Sequence, residues 1–501
     1  MKIAICYPPL NSPKGTPLLS QNRQFQWFSN KLTSYAIYPV VMASAATLLK
    51  SKGYDVVWLD GVAEKWTQEQ FLEKLKKEKP NLIVLEVKTP VIKKYWKLIN
   101  KLKKLQTSSF KPRTVLLGDH VTALPQESME NSKVDYILTG GDYDFALLNL
   151  VNHLAKKAKL ASGVYYRKIP KLKNTKTQKL KVINTGRFTL SHDLNSLPMI
   201  DRDLTRWQLY SRKNSNFYRA PGAYTMFGRD CWWGKCTFCS CTTIFPGKSY
   251  RHCSVKKALD EVGYLIEKYH VREIMDDSGT FPVGDWLRKF CQGMIKRGYN
   301  RKIRFNCNMR FNAGLTEKDY QLMGKAGFRF ILYGLESARQ KTLDRINKNS
   351  TVAIVEPVLT WATKAGLMPH ITIMIGYPWE SEKDIKKTLA LAHRLFKKGI
   401  VFTMQATIVI PYPGTPLFAE CKKNNWLKTK DWNRYDMREP IMETGLSNEK
   451  LMAYARSLYS AFACPQFIWR TLSSIRNWDD IKYVSFQGLK FLSKLADFGK
   501  K

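Results

Sequence analysis

CWWGKCTFC, running from Cys231 to Cys239, is the stretch from which the rest of this chain can be read. Three thiols fall within nine residues, with four residues between Cys231 and Cys236 and two between Cys236 and Cys239. Thiolates are soft ligands for iron, zinc and copper(I). A C-x2-C pair on a tight loop presents two sulfurs to one centre, and Cys231 adds a third. Three thiols suit a cubane iron–sulfur cluster with one iron left open, whereas four suit electron storage or structure. Zinc completed by Cys241, Cys253 or His252 is the alternative. The ten cysteines show no paired disulfide framework. The opening MKIAICYPPL reads as a strand and a proline turn, not an export signal.

Working outward, AYTMFG from Ala223 is a strand that leads straight into the cysteine loop. Further strands follow: REIMDDSG from Arg272, IRFNCNMR from Ile303, FRFILYGLES from Phe328, HITIMIGYP from His370 and FTMQATIVIP from Phe402. Helical stretches lie between them. Six β/α units in series predict a partial (β/α)6 barrel over 216–420, with chemistry on the loops at the strand carboxyl ends. The cysteine loop, Asp276, Asp277, Arg310, Glu336, Ser337 and Gly376 all fall at such ends.

Upstream, KIAICY, DVVWLD, NLIVLEV, TVLLGD and DYILTG alternate with helical stretches near 39–52, 67–79, 91–106 and 143–157. Short apolar strands between helices predict a parallel sheet covered on both faces. This is an α/β, doubly wound, flavodoxin-like domain over 1–160. Such sheets bind ligands at their carboxyl edge. The loops there are YPPLNSPKGTP, GDHVTALP (Gly118–Pro125) and GGDYDF (Gly140–Phe145). Gly118, Gly140 and Gly141 would let the backbone approach a bulky ligand. The chain has no G-x-G-x-x-G, so a nicotinamide or flavin dinucleotide is not indicated. Residues 161–215 read as a linker containing one small strand, GVYYRK, and the basic stretch PKLKNTKTQKLK. Residues 421–501 read as a helical tail. Its last part mixes Trp, Phe and Leu with Lys and Arg, which suits either a cap on the barrel or an amphipathic helix on an anionic membrane.

Lys and Arg number 82 against 41 Asp and Glu, a net charge of +41. That excess draws a protein toward nucleic acid, anionic lipid heads or phosphorylated substrates. Solvated, lysine-rich helix faces are the plainer reading, because the charge is dispersed over many segments. No run of about eighteen apolar residues suggests a membrane span. The expected setting is cytoplasmic and reducing, with the inner face of the cell membrane as a candidate peripheral contact.

Together these residues resemble the radical S-adenosylmethionine (SAM) enzymes that carry an N-terminal cobalamin-binding-type domain. The resemblance extends from Met1 into the tail. The family's usual signature is C-x3-C-x2-C with an aromatic before the last Cys; here Phe238 fits and the first gap is one residue longer. IMDDSGTF, NCNMRFN, YGLES with LDRINKNST, MIGYPWESEKD and VIPYPGTPLF are similar to the family's segments after successive strands, in order.

The resemblance implies a [4Fe–4S] cluster on Cys231, Cys236 and Cys239, with the SAM amino and carboxylate groups on the open iron. One-electron cleavage of SAM then yields a 5′-deoxyadenosyl radical that abstracts hydrogen from an unactivated carbon. It further implies Phe238 near the adenine, Asp276 or Asp277 at the SAM amino group, Arg310 or Glu336 at its ribose or carboxylate, Ser337 beside them, and Gly376 lining the adenine pocket. A cobalamin site would involve Gly118, Asp119, His120, Gly140 and Gly141. None of the seven His stands in a D-x-H-x-x-G context, so either cobalamin binds without a His ligand or the domain has lost it. The implied partners are an electron donor such as ferredoxin or flavodoxin and a small-molecule or lipid substrate. The leading function is cobalamin-dependent C-methylation. Ring formation or carbon–carbon coupling on a lipid or tetrapyrrole is the alternative, RNA modification a third motivated by charge, and a non-catalytic cobalamin sensor a fourth.

Overall fold

Two mainly parallel sheets stand in sequence along the chain, and each is built where apolar runs alternate with amphipathic helices. The computed structural model describes residues 1–10, 12–19, 25–28, 36–168, 181–211, 217–463, 465–473, 475, 477–485 and 488.

The first sheet contains β1 (Lys2–Tyr7), β2 (Asp55–Asp60), β3 (Leu82–Val87), β4 (Arg113–Gly118), β5 (Tyr136–Leu138), β6 (Val164–Lys168) and β7 (Lys181–Asn184). Their order is β2-β1-β3-β4-β5-β6-β7. The first five run parallel, as in a flavodoxin-like sheet, and β3 is buried along its whole length because helices cover both faces. The helix Gln68–Glu78 opens on a capping box, with Thr67 and Gln70 satisfying each other's backbone N–H groups. β6 and β7 add antiparallel to the far edge. The stretch from 161 is therefore not simply a linker: it extends the first sheet by two strands. Most of PKLKNTKTQKLK lies outside the described residues.

The second sheet contains β8 (Gly222–Thr225), β9 (Glu273–Asp276), β10 (Arg304–Met309), β11 (Phe328–Glu336), β12 (Met368–Ile375) and β13 (Thr403–Ile408). All six are parallel and lie in chain order, the arrangement of an open (β/α)6 barrel. Aromatic rings fill the interior near β8–β11: Phe227, Phe281, Trp286, Phe290, Phe305 and Phe328 touch edge to face or stacked. At the amino end, buried Glu273 accepts from Arg329 Nε at 2.9 Å and from the Arg219 backbone at 2.6 Å. That buried carboxylate is fully paired and serves to tie strands together.

The segment beyond residue 421 is a strap rather than a free tail. Trp432 Nε1 donates to Glu127 at 2.9 Å, and Lys93 and Lys14 pair with Asp431 and Asp436, so the strap grips the first sheet's helices. The helix Asn448–Ser457 and the turn after it then cover β12 and β13, with Tyr459 donating to the backbone near Ala406. Asp479 pairs with Arg219 and Arg272 at the amino ends of β8 and β9. Ile468, Trp469, Leu472, Trp478 and Ile481 are left exposed, Trp469 by 75%. Among the described residues no helix is long and apolar enough to cross a membrane.

Candidate active site

β8 ends at Thr225, and a two-residue ribbon (Gly228–Arg229 against Arg251–His252) carries the chain into the cysteine loop. Cys236 is buried; Cys231 and Cys239 are half-buried. Cys231 Sγ lies 3.1 Å from Thr280 Oγ1, and Arg310 Nη1 donates to Cys236 Sγ at 3.6 Å. Burial pushes the Cys239 thiol up, and the neighbouring Cys236 and Cys231 add to the effect, which places all three sulfurs in one neighbourhood. Burial also raises Cys236, while Lys348 and Arg310 act the other way. Binding to iron or zinc would take the proton off each thiol.

Among the described residues no three His, Cys, Asp or Glu side chains gather around a single point as one metal ion would require. Zinc–sulfur bonds of about 2.3 Å pull sulfurs tightly together. A cubane takes its protein ligands on separate irons, so three thiols hold it and leave the fourth iron open. Three thiols on one loop, at spacings of four and two, are the donor set that a [4Fe–4S] cluster with one open iron takes.

Two cations frame Cys236. Arg310 is buried, sits 5.4 Å over both Trp232 and Trp233, and bonds Asn312 Oδ1 at 3.1 Å and the Lys348 carbonyl. Lys348 pairs with Glu336 at 2.6 Å and lies 5.9 Å from the Phe238 ring centre. Burial works against the Lys348 charge; Glu336 and Cys236 outweigh it and keep the ammonium protonated. Gly334 makes this pair possible, since a Cβ there would stand 2.2 Å from Glu336 Oε1. Glu336 itself has φ +63 where the β11–β12 register slips, so the strand turns its last side chain inward. Trp233 Nε1 donates to the Asn347 carbonyl at 2.7 Å, and Thr237 N to that of Ile346 at 2.9 Å, which bind the cysteine loop to the turn that carries Lys348.

Cys231, Cys236, Cys239, Phe238, Arg310 and Glu336 are thus brought together. The other expected residues are engaged differently. Asp276 accepts from Thr225 Oγ1 at 3.0 Å, Phe227 N at 2.9 Å and Ser278 N at 3.1 Å. Burial raises it to about 6. It locks β8 to β9; Asp277 is buried at the same strand end, beside Asp230. Asp230 accepts from the Gly279 backbone, and burial raises it to about 7. Ser337 donates to Glu380 at 2.6 Å and works as a strut between turns. Gly376 has φ +100, and a Cβ there would stand 3.8 Å from Leu451 of the strap.

The residues expected at the first sheet's ligand edge are occupied by the protein itself. A Cβ on Gly118 would strike the Val87 carbonyl at 2.1 Å; on Gly140, the Phe188 ring at 2.4 Å; on Gly141, the Phe245 ring at 2.2 Å. The close approach these glycines permit is taken by backbone and by rings from later in the chain. Asp119 pairs with Lys88 at 3.1 Å. His120 is fully buried between Trp96 and Trp432, 3.3 Å from Glu127, in a setting that gives it no open face for a ligand. A cavity of about 560 Å³ opens instead beside the loop after β1, lined by Pro9, Leu10, Ser12, Gly15, Gly61 and Trp66.

Sequence reading passed over Lys348, Asp230, Asp142, Asp144, Arg229 and Arg251. Asp142 and Asp144 lie in the GGDYDF loop, where the glycines drew attention and the carboxylates did not. They pair with arginines some 85 to 109 residues away, a relation no local pattern carries.

Residues 225–392 match the family model for the radical SAM superfamily. The chain is 26% identical over 427 residues to an uncharacterised methyltransferase of Pyrococcus horikoshii, spanning 85% of this chain and 87% of that protein. It is 24% identical over 449 residues to the anaerobic magnesium-protoporphyrin IX monomethyl ester cyclase of Cereibacter sphaeroides, spanning 86% and 68%. Among solved structures it superposes on the radical SAM methyltransferase TsrM from Kitasatospora setae, determined with cobalamin and a [4Fe–4S] cluster bound. There the TM-score is 0.67 at 12% identity, covering 99% of both chains. The barrel and its thiol loop define the class, an α/β enzyme built for radical chemistry at an iron–sulfur centre. Residues 225–392 form a radical SAM domain, which implies a [4Fe–4S] cluster and SAM as cofactors.

Proposed function

We propose that this protein is a cobalamin-dependent radical SAM enzyme that methylates an unactivated carbon of a small-molecule or lipid substrate. The observation that carries the reading is the thiol loop at the carboxyl end of β8, framed by Arg310 and Lys348, in a chain whose fold follows a cobalamin-bound methyltransferase from end to end. Cys231, Cys236 and Cys239 would hold the cluster. Once bound, the cluster and SAM supply a 5′-deoxyadenosyl radical and cobalamin supplies a transferable methyl group.

The chain's own residues orient and shield. Arg310 and Lys348 offset the negative charge of thiolate ligands. Phe238, fixed beneath the Lys348 ammonium, offers an apolar face for the adenine. Asp277 receives the SAM ammonium, and Gly376 leaves room for the adenine edge. Trp232 and Trp233 shelter the cluster side from water. Cobalamin would sit at the carboxyl edge of the first sheet without a His ligand, with the cavity at Pro9, Gly15 and Trp66 taking part of it. The exposed Trp469, Leu472 and Trp478 and the charge of +41 favour docking on an anionic membrane surface, where a lipid substrate would be met. A ferredoxin or flavodoxin would deliver the electron.

The test is anaerobic, cluster-reconstituted protein given hydroxocobalamin, SAM and reductant. Stoichiometric cobalamin in the visible spectrum, with 5′-deoxyadenosine and S-adenosylhomocysteine both formed, is the expected result. Cluster and 5′-deoxyadenosine without bound cobalamin would overturn methylation. That outcome would favour ring formation or carbon–carbon coupling, the reading that the likeness to the cyclase of Cereibacter sphaeroides supports.

A further inference from the structure

Both ends of the cysteine loop are tied to one short loop of the first sheet. Upstream, Arg229 stands two residues before Cys231 and is 3% exposed. Its two terminal nitrogens donate to Asp144 at 3.2 and 2.6 Å, and it lies 3.7 Å from Asp142. Arg251, opposite Arg229 across the ribbon, gives both its terminal nitrogens to Asp142 at 2.7 and 2.9 Å. His192 adds a third partner to Asp142 at 2.7 Å. Downstream, Phe245 stands six residues after Cys239 and its ring rests on Gly141. The nine-residue thiol stretch is bracketed, before and after, by Gly141–Asp144.

We propose that Asp144, with Asp142 behind it, is a positioning residue for the iron–sulfur cluster: through Arg229 and Arg251 the first sheet sets where the cysteine loop stands over the barrel. The proposal rests on the reading of Cys231, Cys236 and Cys239 as cluster ligands. Two forked arginine–carboxylate pairs fix direction as well as distance. Buried pairs of this kind add little net stability over an apolar contact, so their evident contribution here is geometric. The need for geometry is steep, because a displacement of about 1 Å at a reacting centre can cost about a hundredfold in rate. The arrangement also gives the GGDYDF loop a purpose that does not involve lining a ligand pocket.

The experiment compares wild type, Asp144→Asn, Asp144→Glu and a control, Arg206→Ala, which breaks the Arg206–Glu64 ion pair away from the cysteine loop, all reconstituted anaerobically. It reads iron and sulfide content, the electron paramagnetic resonance spectrum of the reduced cluster with and without SAM, and 5′-deoxyadenosine formation. Asp144→Asn is expected to keep its iron, to shift or broaden the SAM-bound spectrum and to lose about ten- to a hundredfold in the maximal rate, with the SAM KM changed less than threefold. Asp144→Glu should recover part of the loss, and Arg206→Ala should match wild type. If Asp144→Asn does not fold, Arg229→Lys, which keeps the charge and loses the fork, must show the same spectral change. A folded variant with wild-type spectrum and rate overturns the positioning role and leaves the cluster reading intact. So does an equal loss in Arg206→Ala. Wild-type protein that assembles no cluster overturns both.

Discussion

The two parallel sheets present the same kind of edge, the carboxyl ends of strands joined to helices, and use it in opposite ways. On the second sheet that edge holds three thiols outside any disulfide, two cations and an inward-turned Glu336. On the first sheet the corresponding groups are closed off: three glycines pack against Val87, Phe188 and Phe245, Asp119 faces Lys88, and His120 is sealed between tryptophans. Fold does not assign an edge its task; the chemistry of the groups that stand there does. The first sheet's edge is largely a docking surface for the second's reactive loop.

The comparison breaks most sharply at the thiols. Cys236→Ala should abolish cluster assembly and lower 5′-deoxyadenosine formation by about a thousandfold or more, read by iron content and product chromatography. No substitution at Gly118, Gly140 or Gly141 should remove iron. Next comes the cation frame. Lys348→Met strands Glu336 in the interior and should destabilise the fold by about 3–5 kcal/mol, measured by denaturant midpoint. The double variant Lys348→Met with Glu336→Gln should recover most of that loss, because the unpaired charge is gone. On the docking side, Gly141→Ala drives a methyl group into the Phe245 ring. It should cost about 1–3 kcal/mol, and cobalamin binding should weaken no more than stability does.

A smaller effect is pH dependence. Burial alone would raise Asp142, but the hydrogen bonds from His192 and Arg251 outweigh it and hold the carboxyl at about 2, below its ordinary 3.8. The unfolded chain therefore binds the proton more readily. The stability from this pair is present above about pH 4 and is lost as pH falls toward 2, about 2 kcal/mol in all. Asp142→Asn should flatten that part of the stability–pH profile in urea melts between pH 5 and 2. Smallest of all, Trp469→Ser should change stability by less than about 0.5 kcal/mol and leave SAM cleavage unaltered, while reducing sedimentation with phosphatidylserine vesicles.

The two strands that extend the first sheet beyond 161 were read mainly as linker, whereas the order of strands, the parallel sheets and the thiol loop were legible in the chain. Each depends on short-range patterns: apolar runs of strand length, helix caps such as Thr67 with Gln70, and a cysteine spacing of four and two. The match of residues 225–392 to the radical SAM superfamily agrees with the barrel part of that reading. Arg310 and Glu336 were singled out at the right strand ends, but their partners were not. Lys348 gave no local sign, because its importance comes from a Gly334 that clears space and a register slip that turns Glu336 inward. The glycines of the first sheet suggested an open cradle, and their neighbours Phe188 and Phe245 arrive from 48 and 104 residues downstream.

What the sequence determined by itself was therefore which groups could do chemistry and on which strand ends they stand, since backbone period and ligand spacing are local properties. Only the tertiary structure decided which of those groups remain available. A buried carboxylate, glycine or histidine takes its role from whatever packs against it, and at Asp144, Gly141 and His120 that partner comes from far along the chain.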